Sequence, residues 1–80
     1  MKKIQTTTYN LPVIIEKDED GFFVADCPSL TGCHTQGKTL EEAISNIRDA
    51  IELNLKILKK DKDEIPKFHP VSLTSLEVSV

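Results

Sequence analysis

Eighty residues, 39% hydrophobic and 29% charged, have the make-up of one small globular domain spanning residues 1–80; at that size folding buries only somewhat more than about 60% of the unfolded surface, and oligomerisation is a common remedy. A net charge of −3 argues against a broad nucleic-acid footprint, which needs a basic face, and is compatible with a basic protein partner. The opening MKKIQTTTYN lacks the apolar run of a signal peptide, and no stretch reaches the roughly 20 apolar residues of a membrane span, so a cytoplasmic location is expected, with Cys27 and Cys33 reduced.

Ile4 to Lys17 reads as the first strand. Tyr9, Leu11, Val13 and Ile15 alternate on one face and Ile14 contributes to the other. Pro12 cannot donate to a ladder and so favours an edge. Asp18-Glu19-Asp20-Gly21 is a hairpin connection, with Gly21 available for the left-handed conformation that closes it. Phe22 to Asp26 is the return strand, rich in residues suited to a pleated surface. Cys27 to Gly32 forms a loop punctuated by Pro28 and Gly32. Cys33 to Gln36 is a short, polar third strand, and Gly37-Lys38 turns the chain again.

Thr39 and Glu42 match the capping box S/T-x-x-E, which predicts a helix start at that point. Leu40, Ala43, Ile44, Ile47, Ile51, Leu55 and Leu58 then recur at helical spacing as far as about Lys60. Acids cluster in the first half of this helix and lysines in its last turns, as the helix dipole prefers. Ile65-Pro66 and His69-Pro70 exclude helix beyond it, and Val71 to Val80 alternates again, with Leu76, Val78 and Val80 on one face, predicting a final strand. The fold class is α+β, in the order β-β-β-α-β: an antiparallel three-stranded meander, one helix packed on it, and a last strand whose place in the sheet periodicity does not fix.

The stretch Pro28–Ala43, PSLTGCHTQGKTLEEA, carries more information than any other. Its pattern P-x-L-x-G-C-x-T-x-G-x-T-x-E-E-A resembles the signature of HicB-type antitoxins, the partners of HicA-type toxins. The resemblance extends over roughly Leu11 to Leu58. It implies a reduced ribonuclease-H-like unit, in which the last strand lies parallel beside the first, and it implies no catalysis and no cofactor. The partner it implies is a small, basic, double-stranded-RNA-binding-like ribonuclease with a catalytic histidine. Longer members carry a further DNA-binding module; this chain, with one strand after the helix, resembles a short form, and direct operator binding is not expected of it.

The acids Glu16, Asp18, Glu19, Asp20 and Asp26 allow two readings. A two-metal nuclease would need several carboxylates converging at one place, whereas three of these five are consecutive hairpin residues whose side chains diverge. An acidic contact surface is the simpler reading, and charge and exposure make these five the candidate toxin-binding residues. Cys27, Cys33, His34 and His69 lack the paired short spacings of a structural zinc site. Adjacent strand residues point to opposite faces, so Cys33 and His34 do not form a dyad. The lysines 2, 3, 56, 59, 60, 62 and 67 are interspersed with Asp61, Asp63 and Glu64 and read as a solvated surface. The segment SLEVSV would leave an open strand edge, which favours a homodimer or larger closed assembly. Two functions fit the whole: an antitoxin that masks a HicA-type mRNA-cleaving ribonuclease, or an orphan module of the same fold that binds some other partner.

Overall fold

The computed structural model describes residues 8–62, 64–65 and 72–80. Three strands, β1 (Ile14–Lys17), β2 (Phe23–Asp26) and β3 (His34–Gly37), precede one helix, α1 (Leu40–Lys60). The strands form an antiparallel sheet in the order β1-β2-β3. Ile15, Ala25 and Thr35 stand in one cross-strand row, and Ile14, Asp26 and His34 in the next. Because strand side chains alternate, the first row faces α1 and the second faces away from it.

Both hairpin turns follow from local chemistry. Asp18 accepts the Gly21 amide on its carbonyl at 3.1 Å and donates its own amide to the Phe22 carbonyl at 2.8 Å. Gly21 sits at φ +87°, giving a three-residue loop with a left-handed glycine. Cys27 to Cys33 is a double turn: the Leu30 amide donates to the Cys27 carbonyl and the Cys33 amide to the Leu30 carbonyl. Gly32, at φ +73°, sets its direction.

The helix starts at the predicted residue. The Thr39 hydroxyl accepts the Glu42 amide at 3.1 Å, which is the first half of the capping box. The Glu42 carboxylate reaches one residue further back than expected and takes the Lys38 amide at 3.3 Å. The helix lies over β3 and β2. The approach is close at Gly37, where a Cβ would stand 2.5 Å from the Ala43 amide nitrogen. Nearby, the Asn46 side-chain amide donates to the Gln36 carbonyl at 2.8 Å and ties the helix to β3. At the other end Lys62 adopts the left-handed conformation, φ +59°, that helix C-termini usually give to glycine.

The core is thin. Among the described residues the buried set is Ala25, Cys27, Leu30, Cys33, Ala43 and Ile47, with Leu11, Val13, Ile15, Phe23, Ala50, Ile51, Leu55 and Leu58 packed half-buried around it. Leu53 and Ile57 are largely exposed.

Two expectations change. The first strand is shorter than Ile4–Lys17: pairing begins at Ile14, two residues beyond Pro12, which has no amide to offer a ladder, and residues 4–7 lie outside the described set. The final strand does not form. Residues 72–80 are exposed and carry no strand, and Val71 lies outside the described residues. Alternation of apolar residues supplies a face for a strand to bury, but the strand itself exists only once an edge pairs with it.

Candidate partner-binding surface

The five candidate acids do different jobs. Asp18 is committed to its turn: its Oδ1 accepts the Asp20 amide at 3.0 Å and the Phe22 amide at 2.9 Å. Glu19 and Asp20 occupy the hairpin tip, exposed. Glu16 and Asp26 belong to the sheet face away from the helix. Glu16 pairs with Val24, and Asp26 with Ile14, so the two carboxylates are diagonal neighbours, a spacing of about 7–8 Å between backbones. Ile14, Glu16, Val24 and Asp26 line a shallow cleft of about 170 Å³. The structure therefore brings Glu16 and Asp26 onto one face, leaves Glu19 and Asp20 at its end, and keeps Asp18 exposed at the turn with its Oδ1 engaged by two backbone amides.

This outer face mixes two β-branched apolar side chains, Ile14 and Val24, with Glu16, Asp26, His34 and Gln36. Half-buried apolar centres ringed by polar groups suit protein recognition. Charge alone did not reveal Ile14 and Val24; the signal was the unbroken Val13-Ile14-Ile15 run, which places apolar side chains on both sides of a strand. The structural role of Asp18 was legible in the D-x-x-G spacing, since a turn-initial aspartate commonly accepts backbone amides two residues on.

Cys27 and Cys33 are buried beneath the double turn, where the Cys27 amide donates to the Cys33 carbonyl at 2.9 Å. Desolvation pushes both thiols above their ordinary range, with the carboxylate of Asp26 adding to the shift at each. They are packing groups with weak nucleophilicity. His34, next to Cys33, is exposed on the opposite face. Among the described residues no three His, Cys, Asp or Glu side chains converge as metal ligands, and none of the helices is long and apolar enough to cross a membrane. His69 and the lysines 2, 3 and 67 lie outside the described residues.

A second concavity was not foreseen. An open groove of about 460 Å³ runs between the segment leading into β1 and α1, lined by Leu11, Val13 and Ile15 and by Ile44, Ile51 and Leu55 among others.

The fold is a three-stranded meander closed by a capped helix, with acids turned outward, and comparison with known proteins identifies its family. Residues 11–78 match the family model described as HicB_like antitoxin of bacterial toxin-antitoxin system. The chain belongs to this family. It is 48% identical over 62 residues to UPF0150 protein Ta0767 of Thermoplasma acidophilum, covering 78% of this chain and 90% of that one. It is 51% identical over 59 residues to UPF0150 protein ssr1765 of Synechocystis sp., covering 74% and 75% respectively. The fold is also that of the crystal structure of the N-terminal domain of the Burkholderia pseudomallei antitoxin HicB, with a TM-score of 0.67 at 24% identity over 76% of this chain and 72% of that one.

Proposed function

We propose that this chain is an antitoxin that binds a HicA-type mRNA-cleaving ribonuclease and masks its RNA-binding and catalytic surface. The observation that carries the reading is family membership over residues 11–78. The outward acids support it, since a ribonuclease that binds RNA offers a basic surface and opposite potentials steer encounter. Masking needs no catalysis by the antitoxin and no cofactor. The contact residues are Glu16 and Asp26 on the sheet face, with Glu19 and Asp20 at the tip; Asp18 shapes the tip that presents them. The chain works in the cytoplasm as one domain and self-associates into a homodimer or larger assembly.

The test is inhibition of RNA cleavage by a HicA-type ribonuclease, sought first as a small basic reading frame beside this one. Titration is expected to reach full inhibition at a fixed molar ratio, and a toxin still active in excess antitoxin would sink the function. Glu19→Lys with Asp20→Lys, and Glu16→Lys with Asp26→Lys, are each expected to weaken binding by about tenfold or more, most at low salt. Asp18→Asn keeps the accepting oxygen while removing charge, and its effect is expected to be the smallest. Unchanged affinity in both double variants would sink the site assignment while leaving the function standing.

A further inference from the structure

Cys27 and Cys33 take no part in masking a ribonuclease, yet they face one another. The β2–β3 register pairs Ala25 with Thr35 and Asp26 with His34, and one step further it sets Cys27 opposite Cys33. A backbone bond closes that step, the Cys27 amide donating to the Cys33 carbonyl at 2.9 Å. Side chains alternate along a strand, so both thiols share the helix-facing side with Ala25, and they are 0% and 1% exposed. The two side chains are within hydrogen-bonding reach of one another. Burial raises the Cys27 thiol, and the Ser29 and Leu30 amides act in the opposite sense by favouring its charged form. The double turn covers the pair, and its Pro28, Thr31 and Gly32 are exposed.

Two chemistries use such a pair, and the spacing chooses between them. Residues directly opposite at a hydrogen-bonded position have Cα atoms about 5.5 Å apart and Cβ atoms toward the upper end of about 4.5–5.5 Å. A disulfide wants its Cβ atoms at about 3.5–4.5 Å, so a bridge here would be strained. An ion gripped by two metal–sulfur bonds of about 2.3 Å holds the sulfurs about 4.6 Å apart, against about 2.05 Å in a disulfide, and so fits the wider pair. The donor set then selects the ion. Structural zinc wants four ligands and calcium and magnesium want oxygens, whereas no three His, Cys, Asp or Glu side chains converge among the described residues. Two opposed thiolates shielded from water suit a soft cation of linear coordination, of which copper(I) is the biological example.

We propose that Cys27 and Cys33 form a binding site for a soft monovalent cation of the copper(I) class, held between the two sulfurs beneath the double turn. Binding exchanges two thiol protons for one ion: both S–H bonds break, two sulfur–metal bonds form, and two protons leave to solvent. The metal keeps its oxidation state. The ion enters when the turn lifts, and once seated it ties the chain after β2 to the chain before β3, one step beyond the last pair of the ladder. This site is independent of the toxin-binding reading.

Competition for copper(I) between the reduced full-length chain and the coloured chelator bicinchoninate, without air, tests this. The parent is expected to withdraw one copper(I) per chain. It is also expected to melt at a higher temperature with the ion than without it, since a ligand of the folded state stabilises that state. Cys27→Ala and Cys33→Ala are each expected to lose the withdrawal while keeping the circular dichroism of the parent. X-ray absorption of the copper-loaded parent reads the same point without any variant, so the test survives if either alanine protein fails to fold. Two sulfur neighbours and no nitrogen or oxygen are expected. No withdrawal by the parent, undiminished withdrawal by either folded variant, a lowered melting temperature on loading, or nitrogen or oxygen bound to the copper would each overturn the site.

Discussion

Gly37→Ala puts one methyl group where the end of β3 presses against the first turn of the helix. Its carbon would lie 2.5 Å from the Ala43 nitrogen, 2.9 Å from the Glu42 carbonyl carbon and 3.0 Å from the Ala43 Cα. All three are backbone atoms of the first helical turn, so no side chain can swing aside. Either β3 retreats, stretching the 2.8 Å bond from Asn46 to the Gln36 carbonyl, or the turn shifts and loosens the Thr39 cap. Forcing an extra carbon into packed structure costs about 1–3 kcal/mol, against about 0.4–1 kcal/mol gained from a stiffer unfolded chain. The net is a loss of about 1–2 kcal/mol, read as a fall in thermal midpoint of about 4–8 °C per kcal/mol for a domain of this size. Gly21→Ala is the control: its Cβ meets nothing within 4 Å, but φ +87° disfavours any side chain by about 1–2 kcal/mol. Replacement by Asn, which tolerates left-handed backbone, is expected to recover much of the loss at Gly21 and none at Gly37. A Gly37→Ala protein as stable as the parent in urea or thermal melts would refute the close approach.

Thr39→Ala removes the hydroxyl that accepts the Glu42 amide and is expected to cost about 1 kcal/mol in a denaturant melt. Lys62→Gly relieves the side chain held at φ +59° and is expected to stabilise by about 1 kcal/mol; unchanged stability would mean that residue is not held left-handed in solution. Burial raises both thiols above their ordinary range, so the folded state holds those protons more tightly than the unfolded one. Their contribution is complete below the ordinary thiol range near pH 8.5 and is lost as pH rises through the higher folded values. Stability is therefore expected to fall with pH in that window, and Cys27→Ala with Cys33→Ala to flatten the fall.

Local chemistry was the most legible part of this chain. A capping threonine, acids then lysines along one amphipathic run, and glycines at two turns each act within a few residues, so the helix and both turns could be placed from sequence. Strand lengths were less legible, because pairing depends on a partner segment as well as on pattern. Pro12 marked where β1 could not extend, and the serine-spaced tail showed a strand's alternation without an edge to join. At the candidate site, the acids were evident as charges. That Glu16 and Asp26 share a face with Ile14 and Val24 depends on the cross-strand register, which one sequence alone does not specify.

The thin core bears on how long the free chain survives. With two cysteines, two alanines, one leucine and one isoleucine as the buried set among the described residues, little apolar surface holds the sheet to the helix, and transient opening exposes backbone to proteases in proportion to its population. A bound partner closes that route by mass action, adding about 2.7 kcal/mol when present at a hundred times its dissociation constant. Digestion of the free chain is then expected to outpace that of the complex by about a hundredfold at that excess. On that footing lifetime would record whether a partner is engaged: copies that have found one are expected to persist and unoccupied copies to be cleared.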